Sequence, residues 1–285
     1  MPRVLAGSAC VSASAVFVKL SEVNAGTAAF LRFALALLVL IPLAVVERRR
    51  TGPRPWRAHA LDAAAGALLG VDMVFWAAAI GEVGAGVTTV LLNLQVVVYP
   101  LLAWAVSGAR PPRRFAVTAP LMLAGVALVS GTVGHAMPGT DPVAGAVFGT
   151  AAGVAYAGYL LLMRLGGGGR QVVGPVCTST AAGAVVAGIF GGLWTGLALP
   201  ASAAAWGWMV ALALLGQVLA WVLINPALAR LSPNIGAGLL LSQPVLALGL
   251  GMAIGERPTP TQLAGCALVI GTVWFICGRG ARDRG

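Results

Sequence analysis

Apolar residues run through this chain in blocks longer than a soluble helix needs, and the polar positions gather in short clusters between them. The pattern is clearest from Leu68 to Pro112, LLGVDMVFWAAAIGEVGAGVTTVLLNLQVVVYPLLAWAVSGARPP. Two apolar runs, each long enough to cross a bilayer, are joined by a polar hinge at Gly81, Glu82 and Gly84 and closed by a basic, proline-rich turn. An aspartate, Asp72, lies inside the first run.

The same reading along the chain predicts ten spans. The first ends near Lys19 and the second covers roughly Thr27 to Val46. The stretch around Asp72 supplies the third and fourth, and the fifth covers roughly Phe115 to Val133. A polar loop with His135, Pro138, Gly139 and Asp141 follows. Spans six to ten fall near Val143 to Met163, Val172 to Trp194, Ala204 to Ile224, Asn234 to Ile254 and Gln262 to Cys277. A signal peptide is the competing reading of the first segment, but SASAVFVKL leads at once into another long apolar run.

Composition agrees with the pattern. Hydrophobic residues make up 59% and charged residues 9% of the 285, too little polarity to clothe a soluble surface. The net charge of +10 sits in turns between apolar runs, which is how orientation in a membrane is set rather than how nucleic acid is bound. With the amino terminus cytoplasmic, the inner side collects Arg3, Arg48, Arg49, Arg50, Arg54, Arg57, Arg110, Arg113, Arg114, Arg164, Arg170, Arg230, Arg279, Arg282 and Arg284. The outer side collects Lys19 and Arg257 alone, so both termini are expected in the cytoplasm. The excess of Arg over Lys, with abundant Ala and Gly, fits a high-GC bacterial coding bias and hence the bacterial inner membrane. Cys10, Cys177, Cys266 and Cys277 lie in apolar runs without metal-binding or disulfide spacing and read as small packing residues.

The plan repeats about 145 residues on, at LLGQVLAW from Leu214 to Trp221 and at GERPTP from Gly255 to Pro260. Leu68, Leu69 and Gly70 match Leu214, Leu215 and Gly216; Asp72 and Trp76 match Gln217 and Trp221; Gly108, Arg110 and Pro111 match Gly255, Arg257 and Pro258; Lys19 matches Arg164. Because five spans separate the copies, the second enters the membrane upside down relative to the first. The expected fold is an all-α integral membrane protein, ten transmembrane helices built as two inverted-topology five-helix repeats, residues 1–137 and 138–285, forming one membrane unit.

Intramembrane polar residues are the candidate chemistry. Asp72 lies about twelve residues into its span, roughly 18 Å from the inner end. A carboxylate there is protonated or paired, so a proton-coupling or amine-binding site stands beside a structural hydrogen bond. Arg32 has three uses open to it: a substrate carboxylate, a partner among Glu22, Glu82 and Asp72, or snorkelling outward. Helical spacing groups Asp72 with Trp76, Gln217 with Trp221 and Asn225, and Tyr156 with Tyr159. Asn93, Gln95 and Tyr99 lie in span four, Ser242 and Gln243 in span nine, and Lys19 closes span one. Such groups line a path for an amphipathic solute or join helices to one another. Pro100, Pro120 and Pro244 bend their spans, and Gly145, Gly149 and Gly153 let helices approach. The Gly166 to Gly169 run reads as a connection, since no Lys-Ser or Lys-Thr follows to make a phosphate loop.

Three stretches resemble the drug/metabolite transporter superfamily in its ten-span form with paired EamA domains. They are SASAVFVKL with TAAFLRFALALLVLIPL, then VGAGVTTVLLNLQVVVYPLLAW, then IGAGLLLSQPVLALGLGMAIGERPTPTQLAGCALVIGTVWF, and the similarity runs from roughly Ala6 to Phe275. The resemblance implies a secondary transporter that exports or exchanges small organic metabolites by alternating access, sometimes proton-driven, with no cofactor, no metal and no catalytic residues. Its implied partners are the bilayer, a small-molecule solute and protons, in a monomer or weak dimer. The first copy departs from the pattern at Ala109, where a glutamate like Glu256 is usual. A lipid-modifying enzyme would need a catalytic constellation, and there is no HExxH, paired carboxylate or Ser/His arrangement. A scaffold would need a domain outside the membrane, and the loops are short.

Overall fold

The computed structural model describes residues 2–108, 115–129, 141–166, 171–228 and 242–279. Each expected span contains helix among these residues. The first three helices are Pro2–Ser21, Ala25–Thr51 and Trp56–Val83. The fourth is broken into Ala85–Leu92 and Gln95–Ser107, the fifth is Phe115–Val129 and the sixth is Pro142–Gly166. The seventh runs from Val173 to Trp194 with a π-helical stretch over Ala187–Gly191, and the eighth from Ala203 to Leu228 with one over Leu212–Leu219. Ser242–Ala253 and Pro260–Arg279 are the ninth and tenth. Six of these, the second, third, fourth, sixth, seventh and eighth, are long and apolar enough to cross a membrane by themselves. The loop with His135, Pro138 and Gly139, the turn holding Ala109, Arg110, Arg113 and Arg114, the segment 167–170 and Arg230, Arg282 and Arg284 lie outside the described residues.

Helix ends follow local chemistry. Asn24 caps the second helix by accepting from the Thr27 amide at 2.8 Å, Asp141 accepts from Val143 and Ala144 at 3.0 Å, and Ser202 accepts from Ala205 at 3.1 Å. Gly84 turns the chain between the third and fourth helices at φ +83°, a conformation that a side chain strains. The fourth helix breaks at Asn93 and Leu94, ahead of Pro100, which lies inside its second piece. The Asn93 side chain donates to the Thr89 carbonyl at 2.8 Å, while the Asn93 and Leu94 amides turn back to Val90 and Leu91, three residues away. That tightening ends the α-helix about two turns ahead of the proline.

Packing runs between the halves. The first helix lies against the eighth and ninth, the second against the seventh and eighth, and the third against the sixth and seventh. The fourth lies against the sixth and ninth, and the fifth against the tenth. Exchanging each helix with its mate five places along maps this set of pairs onto itself, as a two-fold repeat requires. Small residues make the closest approaches: a Cβ on Gly26 would lie 2.6 Å from the Gly191 carbonyl, and one on Gly66 would run into the backbone of Ser179. Gly145, Gly149 and Gly153 meet Val83, Leu91 and the Leu92 carbonyl, which bears out their reading as packing positions.

The charge distribution is that of a protein in lipid. Leu193 is 85% exposed and Leu38 71%, whereas Asp72 is 0% and Arg32 4% exposed, so the apolar surface faces out and the charges face in. One core, with Phe33, Leu69, Met73, Trp76, Tyr159, Met209 and Trp221, fills the space among helices one to three and six to eight. A smaller one around Val87, Val90, Leu91, Cys266 and Val269 joins the fourth helix to the tenth.

Candidate functional site

The second and third helices bring Arg32 and Asp72 into one interior, and the eighth meets them from the other half. Arg32 donates from Nε to the Gln217 Oε1 at 3.0 Å and from Nη2 to the Gly216 carbonyl at 2.9 Å. Its guanidinium lies 5.7 Å from the centre of the Trp76 ring, a cation–π distance. Gln217 is fixed in turn by donating to the Thr180 hydroxyl at 3.1 Å. The expected partners of Arg32 were carboxylates, Glu22, Glu82 or Asp72; its hydrogen bonds go instead to an amide and a backbone carbonyl. Glu82 is engaged elsewhere, accepting from the Asp141 amide at 2.9 Å. Gln217, which the sequence repeat sets opposite Asp72, thus supplies the acceptor from the other half of the chain.

Asp72 interacts electrostatically with Arg32, yet among the described residues neither of its oxygens has a hydrogen-bond partner. A buried polar atom left open forfeits about 1–3 kcal/mol, and more when charged. A carboxyl group with both atoms open is one that a proton or a ligand cation would satisfy.

An aromatic wall surrounds the pair. The rings of Tyr156 and Tyr159 stack with centres 5.8 Å apart, and Trp221 stands edge-on to Tyr159 at 5.9 Å. Tyr156 is within electrostatic reach of both Asp72 and Arg32. Seven of the sequence candidates, Asp72, Arg32, Trp76, Gln217, Tyr156, Tyr159 and Trp221, are thus gathered around one centre. The π-helical stretch that holds Gly216 and Gln217 is a local departure from regular helix of the kind common at functional sites.

The remaining candidates lie elsewhere. Asn93 forms the break in the fourth helix, and Gln95 just beyond it has a buried Oε1 without a partner. Tyr99 lies at the arginine-rich end, its hydroxyl accepting from Arg164 at 3.0 Å. The Gln243 carbonyl accepts from Ser12 at 3.0 Å. The side chains of Asn225 and Ser242 lie outside what the structure describes. Lys19 is at the opposite end from Tyr99 and pairs with Glu256 at 2.8 Å. Glu256 also accepts from the Ala85 and Gly86 amides at 2.6 and 3.1 Å, seating a carboxylate on the amino terminus of the fourth helix.

Two features were missed in the sequence. Glu47 accepts from three amides of the seventh helix entry, Val172, Val173 and Gly174, at 2.8, 3.1 and 2.7 Å. Asp62, wholly buried, pairs with Arg54 at 3.2 Å. Both sit beside arginines in the sequence and read as flanks of a basic turn. The third helix, however, starts at Trp56, which places Asp62 inside it.

Residues 3–131 and 143–278 each match the EamA-like transporter family, covering nearly the whole chain in two tandem copies. No curated protein matches it.

Proposed function

The chain belongs to the EamA-like transporter family, and from that membership we propose that it exports or exchanges small organic metabolites by alternating access, with protons as the coupling ion. Amino acids, amines and similar drug-like solutes are the substrate class. Transport by a family member needs an interior site that two gates open in turn. The observation that carries the reading is Asp72: wholly buried, both oxygens open, facing an arginine that the other half of the protein holds.

Asp72 takes a proton in one state and a solute ammonium or no partner in the other. Arg32, pinned on one side by Gln217 and Gly216, offers its remaining donors to a solute carboxylate. Trp76, Trp221, Tyr156 and Tyr159 supply apolar walls for the rest of the solute. The arginine-rich end is cytoplasmic, both termini with it, in the bacterial inner membrane. Lys19, Glu256 and the fourth helix then close the outer end, and Arg164 with Tyr99 lies at the inner end. The two units, residues 1–137 and 138–285, rock against each other across the helix pairs that join them. The protein works as a monomer or weak dimer and catalyses no covalent chemistry.

The test is release of a labelled pool of amino acids and small amines from vesicles holding the protein, with and without an imposed proton gradient. Selective, gradient-dependent release that Asp72→Asn abolishes supports the reading. Release by Asp72→Asn at the wild-type rate and with the wild-type gradient dependence contradicts it.

A further inference from the structure

We infer that Asp62 is a second proton-binding site, the inner station through which a proton carried by Asp72 reaches the cytoplasmic face. The inference rests on the reading of Asp72 as the coupling acid. It goes further by assigning an exit route and naming its residues.

Asp62 precedes Asp72 by ten positions on the third helix, about 15 Å along the axis toward the arginine-rich end. It is wholly buried, and only half of it is used. Its Oδ1 accepts from Arg54 Nη2 at 3.2 Å, and the same nitrogen donates to the Gly166 carbonyl at 2.7 Å. Among the described residues, Asp62 Oδ2 and Arg54 Nε have no hydrogen-bond partners. The pair is not the strong bidentate form, in which two nitrogens meet both oxygens. Here one oxygen of a buried carboxyl group is left open, as at Asp72, and it is the natural seat for a proton.

The groups facing Asp62 form a graded series. Arg54, from the turn before the third helix, and His59, one turn earlier on the same helix, act on it electrostatically. His59 is exposed at the arginine-rich end, with Nδ1 3.4 Å from the Thr178 hydroxyl. From the sixth helix, Tyr159 is within electrostatic reach of both Asp62 and Asp72, and it meets Ser179 of the seventh helix. Around Asp72 stand Arg32 and Tyr156. Titratable groups therefore occupy successive depths, Asp72, Tyr159, Asp62 and His59, from the interior to the surface. Tyr159 packs against Tyr156 and Trp221, and both acids act on its hydroxyl electrostatically.

The transfer balances without any redox change. An O–H bond breaks at Asp72 as cytoplasmic water entering the inward-facing state accepts the proton. The Tyr159 hydroxyl gains a proton from that water and gives up its own, ending as it began. Asp62 Oδ2 takes the proton on and releases it, past His59, to cytoplasmic water. One proton has moved from Asp72 to the cytoplasm.

The test uses the full chain in vesicles loaded with the labelled pool of amino acids and small amines, comparing wild type with Asp62→Asn, Asp62→Glu and Asp72→Asn. Two readouts are taken: gradient-driven release set against exchange between equal pools at equal pH, and the infrared carbonyl band of protonated carboxyl groups as pH is cycled. Asp62→Asn is expected to slow driven release at least about tenfold while exchange continues, as removal of a positioned proton carrier does. One protonated-carboxyl band disappears in Asp62→Asn and a different one in Asp72→Asn, while Asp62→Glu keeps driven release. Asp62→Asn with undiminished driven release and every band intact overturns the inference and leaves the Asp72 reading standing. Equal loss of exchange and driven release in a folded Asp62→Asn protein, unrescued by Asp62→Glu, also overturns it, because that is what a helix clip gives. Wild-type release indifferent to the gradient overturns the Asp72 reading and this inference together.

Discussion

Glu256→Gln measures how firmly the end of the molecule bearing Lys19 is held shut. The carboxylate is 11% exposed and accepts three hydrogen bonds, from Ala85 N at 2.6 Å, Gly86 N at 3.1 Å and Lys19 Nζ at 2.8 Å. A hydrogen bond to a charged group contributes about 1.5–3 kcal/mol when it is shielded from water. The Lys19 side chain is 42% exposed, so solvent screening reduces that contact to at most about 1 kcal/mol. The amide contacts therefore dominate. Glutamine keeps one carbonyl oxygen for them but loses the charge and the second oxygen, a loss of about 2 kcal/mol. Opening of the fourth helix entry then becomes about thirtyfold more frequent, whereas Lys19→Met changes it only about twofold. Hydrogen–deuterium exchange of peptides containing Ala85 and Gly86 reads both effects. Unchanged exchange in Glu256→Gln, or a larger effect from Lys19→Met, would refute the assignment of the carboxylate as the anchor.

Gln217→Leu leaves Arg32 Nε without its acceptor in the interior and should destabilise the protein by about 2–3 kcal/mol in a denaturant titration; wild-type stability would contradict the contact. Gly66→Ala drives a methyl group onto the Ser179 backbone, which has no side chain to swing aside, and should cost about 1–3 kcal/mol. Gly81→Ala, with nothing within 4 Å, should be neutral or mildly stabilising, so thermal melts of the pair separate crowding from helix propensity. Glu47→Ala strips the acceptor from the Val172, Val173 and Gly174 amides and should speed exchange there without altering Ala85 and Gly86. Spread of the effect to both ends would mean that the two closures are one cooperative unit.

Hydrophobic run length made the spans legible, because a bilayer imposes a length that few other constraints do. The offset repeat made the two-fold relation of the helix pairs legible. The Arg32 site was not, because its acceptors are an amide and a carbonyl, which carry no charge to advertise them, and carboxylates were the expected partners. Asp62 was hidden by Arg54, Arg57 and His59, which made its surroundings resemble a membrane flank. The break in the fourth helix was masked by the conspicuous Pro100, although the side chain of Asn93 provides the mechanism. The π-helical stretches of the seventh and eighth helices have no distinct apolar period and left no trace in the pattern.

The most direct test of the whole account is proton movement coupled to solute release at Asp72. Vesicles carrying the protein, an internal pH dye and the labelled pool of amino acids and small amines are given an inward-directed proton gradient. Wild type should acidify its vesicles as the preferred solute leaves, and Asp72→Asn should do neither beyond empty vesicles. Solute release by Asp72→Asn with full internal acidification would contradict the claim that this buried carboxyl group carries the coupling proton.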